Sequence, residues 1–356
     1  MTHAAGQRTT TTDSQHAGSQ QNADRTMLAL LRELAAQRGM RIETLGDGWI
    51  VRLSQGAGAN EKTRHIYGYG FDLNPAATHA IACDKAATAE LLTKTGVPCI
   101  PHQLFLHPSM SRFVKHEGTW RQMLEAFGRW QQDVVVKENA GTGGRDVTRC
   151  QTIVELETAV YRLFAQTTAV AVCPYHELTS EKRFVMLQGR CLLAYEKVRT
   201  SVTGDGASSV LELLAKQTRE TKVTRSALAG MLEQMDARQR ALLLDVPAIG
   251  AQRLLNWRHN LGQGASVRLL DLREGTGDAE TAAALRVATD AARAINLQFG
   301  SVDIVATASD PTPRVLEINA GVMMEFLART LTEGPALARK VYGAALDAMF
   351  GDGMTE

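Results

Sequence analysis

Aromatic residues are scarce in this 356-residue chain, where Phe, Trp and Tyr together make up 5% of the sequence. Lysine and arginine form no long run, and the formal net charge is +1. The basic footprint typical of nucleic-acid-binding proteins is therefore missing. No apolar stretch approaches the length of a membrane span, and no apolar segment near the start has the form of a secretory signal. We therefore expect a protein that binds neither nucleic acid nor membrane.

Cysteines are few and show no metal-binding spacing. Cys83, Cys99, Cys150, Cys173 and Cys191 include no C-x-x-C pair and no histidines at zinc-site distance. An odd number of cysteines in a chain of this length favours reduced thiols, and hence a cytoplasmic location. Hydrophobic residues make up 44% of the sequence and charged residues 22%, which is ordinary for a globular protein with two or three packed lobes.

The chain divides into three predicted parts. Residues 1–24, rich in Thr, Gln, Ser, Ala and Gly, predict a disordered tail. Residues 25–80 predict a small α/β unit, with a helix over 26–39 and a hairpin over 41–53. Residues 81–350 mix helices, strands and hairpins, which favours an α+β fold. In this last part we predict helices starting at the N-cap Asp84 and over 154–164, 209–216, 222–245, 279–295 and 336–349, and strands over 133–137, 169–173, 182–187 and 190–197.

Alternating polar side chains near the C-terminal end form the most informative pattern. Successive residues of a β-strand point to opposite faces, so Glu317 and Asn319 share one face while Leu316 and Ile318 point into a core. The preceding predicted strand carries Asp303 in the same pattern. Two carboxylates and an amide oxygen are ligands that Mg²⁺ prefers. The alternative is a solvated polar face of a sheet.

A lysine and a glycine-rich loop suggest a phosphate site. Lys137 ends a predicted buried strand, and Gly141, Thr142, Gly143 and Gly144 follow after three residues. Glycines let backbone N–H groups approach phosphate oxygens closely. The spacing is neither that of a Walker loop nor the dinucleotide-binding G-x-G-x-x-G pattern, and an ordinary hairpin turn is the alternative.

A second loop combines a guanidinium with an amide. Arg258 and Asn260 flank His259 in a segment rich in glycine. A planar guanidinium suits a phosphate or carboxylate group, whereas the alternative is a surface loop with an ordinary ion pair. His259 is open to two interpretations, a general base or a polar residue with ordinary hydrogen bonds. Upstream, Asp205 is open to two interpretations. It is either a turn residue or a carboxylate that orients the substrate.

Seven motifs follow one another in order along residues 80–330. They are D-K-x-x-T, V-V-K, G-T-G-G, E-K-R-F-V, G-D-G-x-x-S-V-x-E-L-L, R-x-N-L-x-x-G and V-D-I-V…L-E-I-N. In this order they resemble the ATP-grasp superfamily, and among its members the carboxylate–amine ligases such as cyanophycin synthetase and the ATP-grasp portion of bifunctional glutathione synthetase. The resemblance implies an α+β ATP-grasp fold, in which two α/β lobes, about 85–172 and 173–350, grip ATP between antiparallel sheets.

The resemblance also implies a role for each matching residue. Asp303, Glu317 and Asn319 match the Mg²⁺ ligands, where Mn²⁺ is a substitute. Arg258 and Asn260 match the catalytic loop that holds an acyl phosphate. Residues that match the ATP-binding positions, with the adenine hinge at 172–177, are Lys137, Gly141, Thr142, Gly143, Gly144, Cys173, Glu177, Glu181 and Arg183.

Three departures from the family pattern bear on the substrates. Pro174 falls where the hinge commonly carries Glu, so the ribose ligand stays open between Glu177 and Glu181. Gln263 separates two glycines that are adjacent in relatives. The segment after Asn319 lacks the proline of several relatives, which places this protein's own acceptor specificity in residues 321–325.

The resemblance implies ATP-dependent joining of a carboxylate to an amine through an acyl phosphate, with amino acids or small peptides as substrates. Because the chain has no room for the extra domains of the cyanophycin and glutathione enzymes, we expect a free-standing ligase, with a homodimer as the starting assumption. Two other functions stay open. One is phosphoryl transfer to a hydroxyl, and the other is ATP binding by a regulator without catalysis.

Overall fold

The computed structural model divides the chain into two compact units. One comprises residues 1–74 with 321–356, and the other residues 75–320. This division differs from the predicted boundaries, because the chain leaves the second unit after Ala320 and returns to the first. The residues that the structure describes are 25–113, 119–141, 143–144, 146–220, 232, 235, 237–261, 264–272 and 278–351. The predicted tail 1–24, Thr142 and much of the predicted helical region 222–245 lie outside them.

The described elements match most of the predicted ones. The helices are α1 (Thr26–Gln37), α2 (Ala76–Cys83), α3 (Lys85–Lys94), α4 (Trp120–Arg129), α5 (Ile153–Phe164), α6 (Val210–Glu220), α7 (Ala237–Leu242), α8 (Ala279–Ala294), α9 (Glu325–Thr330) and α10 (Gly334–Phe350). The strands are β1 (Arg41–Leu45), β2 (Ile50–Gln55), β3 (Lys62–Tyr67), β4 (Gly70–Phe71), β5 (Gln103–Leu106), β6 (Val134–Glu138), β7 (Thr148–Cys150), β8 (Ala169–Pro174), β9 (Leu178–Leu187), β10 (Arg190–Val198), β11 (Ser201–Thr203), β12 (Gln252–Leu254), β13 (Ser266–Leu269), β14 (Phe299–Thr307) and β15 (Arg314–Asn319). None of the described helices has the length and apolar character that crossing a bilayer would require.

The first unit packs helices around a four-stranded antiparallel sheet of order β1-β2-β3-β4. Apolar residues at helical spacing bury one face of α1, and Gly39 beyond its end takes a left-handed φ of +64°, as the predicted C-terminal glycine requires. Arg38 joins this helix to α10 through two hydrogen bonds to Asp347, at 2.6 and 3.0 Å. The side chain of Arg64 donates to the carbonyl of Met349 at 2.9 Å, which satisfies a free carbonyl at the end of α10.

The second unit contains two larger antiparallel sheets. The first has the strand order β13-β10-β9-β14-β15, and the second has the order β5-β8-β6-β7. Helix α8 covers one face of the five-stranded sheet, where its small residues Ala284, Ala288 and Ala291 pack against Phe184 and Val302. Because successive residues of a strand alternate between faces, Arg183 and Asp303, which precede or follow Phe184 and Val302, lie on the opposite face.

Helix α3 starts where the sequence predicts. The Asp84 carboxylate accepts a hydrogen bond from the Ala87 N–H at 2.8 Å, which is the expected N-cap, and Gly96 after the helix has a φ of +76°. The helix packs through Leu92 into the core that also contains Phe184. This cap fixes the position of the next residue, Lys85, which belongs to the candidate site.

Gly300 allows β14 to approach β15 at the position of Asn319. A Cβ atom built at Gly300 would lie 2.3 Å from the Asn319 carbonyl oxygen and 2.9 Å from a methyl carbon of Leu297. We expect Gly300→Ala to destabilise the protein by about 1–3 kcal/mol, because the backbone of β15 must move. Urea unfolding measures this loss. Gly128→Ala in α4 is the control, since a Cβ there meets nothing within 4 Å and the change should stabilise the helix. Equal stability of the two variants would contradict the prediction.

Candidate active site

The predicted metal ligands lie together on the open face of the five-stranded sheet. Asp303 of β14 pairs directly with Glu317 of β15. The amide nitrogen of Asn319 donates to the Glu317 carboxylate at 3.3 Å, so these two side chains share a face as predicted. Ile318 lies in the opposite core. The prediction for Leu316 is wrong, because a bulge after Asp303 shifts the register and Leu316 packs in a different apolar cluster on the open side.

Asp303 is the centre of a buried charge cluster. Both of its carboxylate oxygens accept hydrogen bonds from Arg183, at 2.6 and 2.5 Å, and one also accepts from Lys197 at 2.9 Å. Lys197 donates in addition to Glu181. Burial raises the pKa of Asp303, but the two cations outweigh it and hold that pKa below its usual value. Burial and Arg183 lower the pKa of Lys197, but the carboxylates of Asp303 and Glu181 leave it raised overall.

The oxygen donors of this face suit a hard cation. Glu317 is partly exposed and has an ion-pair contact of 3.7 Å with Arg183, and Asn319 offers an amide oxygen beside it. Asp303 keeps a lone pair on the oxygen that accepts only one hydrogen bond, since a carboxylate has about four acceptor positions. Within the described residues no group of three or more His, Cys, Asp or Glu side chains has the arrangement of a metal site. Two carboxylates and one amide oxygen are hard donors of the kind that Mg²⁺ prefers.

Lys85 lies close to Glu317, and Lys137 lies close to Lys85. Lys137 of β6 is 7% exposed, and the described part of the chain offers it no hydrogen-bond or ion-pair partner. Lys85 donates to the carbonyl oxygen of Asn139 at 3.4 Å. It also lines a cavity together with Glu317. Burial lowers the pKa of Lys85, and the positive charge of Lys137 lowers it further, whereas the Glu317 carboxylate raises it. The pKa of Lys85 is lowered overall. The sequence interpretation missed Lys85, although the D-K pair of the first motif pointed to it.

The two glycine-bearing loops meet. The side-chain amide of Asn260 donates to the carbonyl of Gly143 at 2.7 Å, and a Cβ built at Gly144 would lie 1.9 Å from the Asn260 amide nitrogen. Gly143 and Gly144 have φ values of +71° and +67°. Lys85 donates to the carbonyl of Gly141. Of the predicted loop residues, Asn260 is therefore brought against the glycine loop, which Lys85 holds from its other end.

Arg258 and His259 directly precede Asn260 in the chain. The Arg258 guanidinium lies 5.2 Å from the ring centre of Trp257. His259 is buried, and its Nδ1 donates to the Lys197 carbonyl at 2.8 Å, since a carbonyl can only accept. Burial lowers the pKa of His259 and favours the neutral ring. This leaves Nε2 as an acceptor that has no partner among the described residues.

The two candidate ribose ligands at and after the predicted adenine hinge are carboxylates with partners. Cys173 is buried with Val135 in an apolar cluster. Glu177 accepts from the Tyr175 hydroxyl at 2.5 Å and from Arg199 at 2.7 Å. Glu181 accepts from Lys197, as described above. Both candidate ribose ligands therefore already have partners, and the geometry favours neither of them.

Some known proteins have sequences similar to this chain. No family model matches the chain. The glutathione biosynthesis bifunctional protein GshAB of Lactiplantibacillus plantarum is 28% identical over 249 residues, which cover 67% of this chain. Cyanophycin synthetase of Nostoc sp. is 24% identical over 335 residues, which cover 90% of it. The chain spans only 31% and 34% of the length of these two relatives.

A solved structure shows the same fold. The bifunctional glutathione synthetase from Pasteurella multocida superimposes with a TM-score of 0.51 at 18% sequence identity, over 93% of this chain and 45% of that protein. At this identity the similarity establishes the fold alone. Two lobes built on antiparallel sheets, with mixed helices, agree with the predicted α+β architecture. The sequence matches and the fold together confirm the predicted resemblance: this chain has the ATP-grasp fold and is similar to the carboxylate–amine ligases of that superfamily.

Proposed function

We propose that this protein is an ADP-forming ligase that joins a carboxylate to an amine, with amino acids or small peptides as substrates. One observation carries the proposal. Lys85 and Glu317 line the same cavity, so a half-buried cation lies beside a carboxylate of the oxygen-donor face, and Lys137, which has no ion-pair partner among the described residues, lies near Lys85. A triphosphate with its bound cation requires this combination of cations and hard oxygen ligands. The similarity to glutathione and cyanophycin synthetases supports it.

Different residues of the site would bind the phosphates, the base and the cation of MgATP. Lys85, Lys137 and the backbone of the glycine loop would bind the phosphates of ATP, while the apolar cluster around Cys173 would hold its base. Glu317 and Asn319, with Asp303 behind them, would hold Mg²⁺, for which Mn²⁺ is the expected substitute. When bound, the cation would neutralise charge on the phosphate oxygens. Arg183 and Lys197 keep Asp303 ionised for this purpose.

The proposed reaction has two steps that balance. An oxygen of the substrate carboxylate forms a bond to the terminal phosphorus of ATP, and the bond from that phosphorus to the ADP oxygen breaks, which gives an acyl phosphate and ADP. The amine, after losing a proton, then forms a bond to the acyl carbon, and phosphate leaves. The net products are an amide, ADP, phosphate and one proton. Arg258 would offset the negative charge of the acyl phosphate. Its contribution to the rate would come from its position and its positive charge.

A screen of amino-acid pairs for ATP-dependent phosphate release, followed by mass spectrometry of the products, tests this proposal. Adding hydroxylamine in place of the amine distinguishes the alternatives. A ligase yields a hydroxamate, because hydroxylamine captures the acyl phosphate. A phosphotransferase that acts on a hydroxyl yields a phosphate ester and no hydroxamate. ATP binding without turnover of any pair would favour a regulator instead.

Asn260 gives a prediction about the glycine loop. Gly143→Ala and Gly144→Ala both place a side chain at a positive φ, which costs roughly 1–2 kcal/mol in each variant. Only Gly144→Ala also displaces the Asn260 side chain, because a Cβ at Gly143 meets nothing within 4 Å. We expect kcat for ligation to fall about tenfold further in Gly144→Ala than in Gly143→Ala, corresponding to roughly 1.4 kcal/mol. Equal rates in the two variants would show that the contact of Asn260 with the loop has no role in turnover.

A further inference from the structure

An apolar cluster lies between the two large sheets of the second unit. Val135 and Cys173 reach it from the four-stranded sheet, and Val305 and Leu316 reach it from the five-stranded sheet. Ile100, Leu178 and Tyr175 complete its border. Because the walls belong to two sheets with separate cores, the cluster is a layer between them, which a flat apolar group can fill.

Trp257 packs into this layer from a loop that belongs to neither sheet. Its ring meets the ring of Tyr175 edge to face, with the ring centres 5.6 Å apart and the planes at 76°. Tyr175 itself is held firmly. The Arg149 guanidinium lies 3.4 Å from the Tyr175 ring centre, and Asp133 fixes that guanidinium through hydrogen bonds of 2.8 and 2.6 Å.

The indole N–H of Trp257 is buried without a hydrogen-bond partner in the part of the chain that the structure describes. Buried tryptophan N–H groups usually find an acceptor, because leaving a donor unsatisfied costs free energy. The layer therefore accepts the bicyclic aromatic ring of Trp257 by shape and apolar contact but does not satisfy its polar atom. An adenine ring has the same fused five- and six-membered outline and carries several polar atoms on its edge.

We propose that the Trp257 indole competes with the adenine of ATP for this apolar layer, and that ATP displaces it. This inference rests on the proposed function, since it requires ATP as the ligand. Trp257 directly precedes Arg258, and Asn260 of the same short segment is bound to the carbonyl of Gly143. Displacement of the indole therefore moves the loop that carries both predicted catalytic residues. Trp257 acts as a positioning residue that links occupation of the base site to the arrangement of Arg258.

Quenching of tryptophan fluorescence by iodide tests the displacement directly. The chain has four tryptophans, and subtracting the emission of Trp257→Phe from that of the wild type isolates the contribution of Trp257. With saturating MgATP we expect iodide to quench Trp257 more strongly than in the free protein, because the indole leaves the buried layer. Adenosine alone should have the same effect at higher concentration. Unchanged or weaker quenching would overturn the proposal, since an indole that forms a wall of the base site becomes covered by adenine.

The affinity of a truncated variant gives a second, independent test. Trp257→Ala removes the competing ring, so we expect its dissociation constant for ATP, measured by calorimetry, to fall several-fold below that of the wild type. Its kcat for ligation should fall about tenfold, because Arg258 loses its link to the base site, and Trp257→Phe should restore part of kcat. A loss of packing alone would not tighten ATP binding. Unchanged or weaker ATP binding by Trp257→Ala contradicts the proposal.

The two proposals can fail separately. If the wild type gives no heat with MgATP and no turnover, the proposed ligase function is wrong. If the wild type binds MgATP while iodide quenching and the affinity of Trp257→Ala do not change as expected, the function stands and the displacement of Trp257 is wrong. The fluorescence measurement needs only the wild type and the conservative phenylalanine variant, so it remains decisive even where the alanine variant does not fold.

Discussion

ADP formation by the Glu317→Gln variant should fall by about 10²–10³-fold, the usual cost of losing one preorganised charged group at a reacting centre. Glutamine has the size of glutamate and still accepts the hydrogen bond that Asn319 donates. What it loses is the negative charge beside Lys85 and 3.7 Å from Arg183. The expected loss therefore comes from weaker cation binding and not from misfolding. A coupled assay of ADP release over a range of Mg²⁺ concentrations measures it, and the variant should need more Mg²⁺ for half-maximal rate.

Glu280→Gln is the matched control. Glu280 is also a glutamate paired with a lysine, but it starts helix α8 and contacts Lys182 on the face of the sheet that the helix covers. Its side chain is 54% exposed and lies on the face opposite the proposed metal site, so its replacement should leave ADP formation within a factor of two of the wild type. Turnover of Glu317→Gln equal to that of Glu280→Gln would remove Glu317 from the proposed metal site.

Local patterns of the sequence were sufficient for much of this site. The shared face of Glu317 and Asn319 follows from the two-residue period of a strand, and the start of α3 follows from the capping preference of Asp84. Both are properties of a few consecutive residues. The structure agrees with both, since the Asn319 amide contacts the Glu317 carboxylate and the Asp84 carboxylate caps the helix.

Contacts between strands that are far apart in the chain could not be predicted from local sequence patterns. The bulge after Asp303 turns Leu316 towards the open side, and its position depends on how β14 pairs with β15. The burial of Asp303 among Arg183 and Lys197 depends in turn on the order of three neighbouring strands. The sequence pattern predicts that Asp303 is a metal ligand but gives no sign that its carboxylate also balances two cations. The same holds for Trp257, whose ring reaches the apolar layer from a loop with no periodic pattern.

The second large effect concerns stability, because Asp303 is 0% exposed and holds two cations. Asp303→Asn keeps the size of the side chain but leaves Arg183 and Lys197 with one fewer counter-charge in the interior. Removing one partner of a buried ion pair costs about 3–5 kcal/mol, and we expect the free energy of unfolding at pH 7 to fall by that amount. Urea unfolding followed by circular dichroism measures the change.

Asp290→Asn is the control for this substitution. Asp290 pairs with Arg293 on the surface of α8, and the two side chains are 57% and 74% exposed. The change should alter the free energy of unfolding by less than about 0.5 kcal/mol, because exposed pairs are screened by water. A similar small effect of Asp303→Asn would mean that Lys197 and Arg183 find enough compensation in Glu181 and Glu317 alone.

The pH dependence of the free energy of unfolding distinguishes the effect of the Asp303 charge from the effect of its side-chain shape. Its pKa is lower in the folded protein than the value of about 3.9 for an unfolded chain, so the unfolded state binds the proton more tightly. The stabilisation by its carboxylate is therefore complete above pH 3.9 and decreases as the pH falls towards the folded-state pKa. The wild type thus approaches the variant in acid, and the difference in free energy of unfolding between wild type and Asp303→Asn should be constant from pH 7 to 5 and should shrink below pH 4. A difference that stays constant down to pH 3 would show that the variant loses packing or hydrogen bonds, and that the ionised carboxylate does not hold the cluster together.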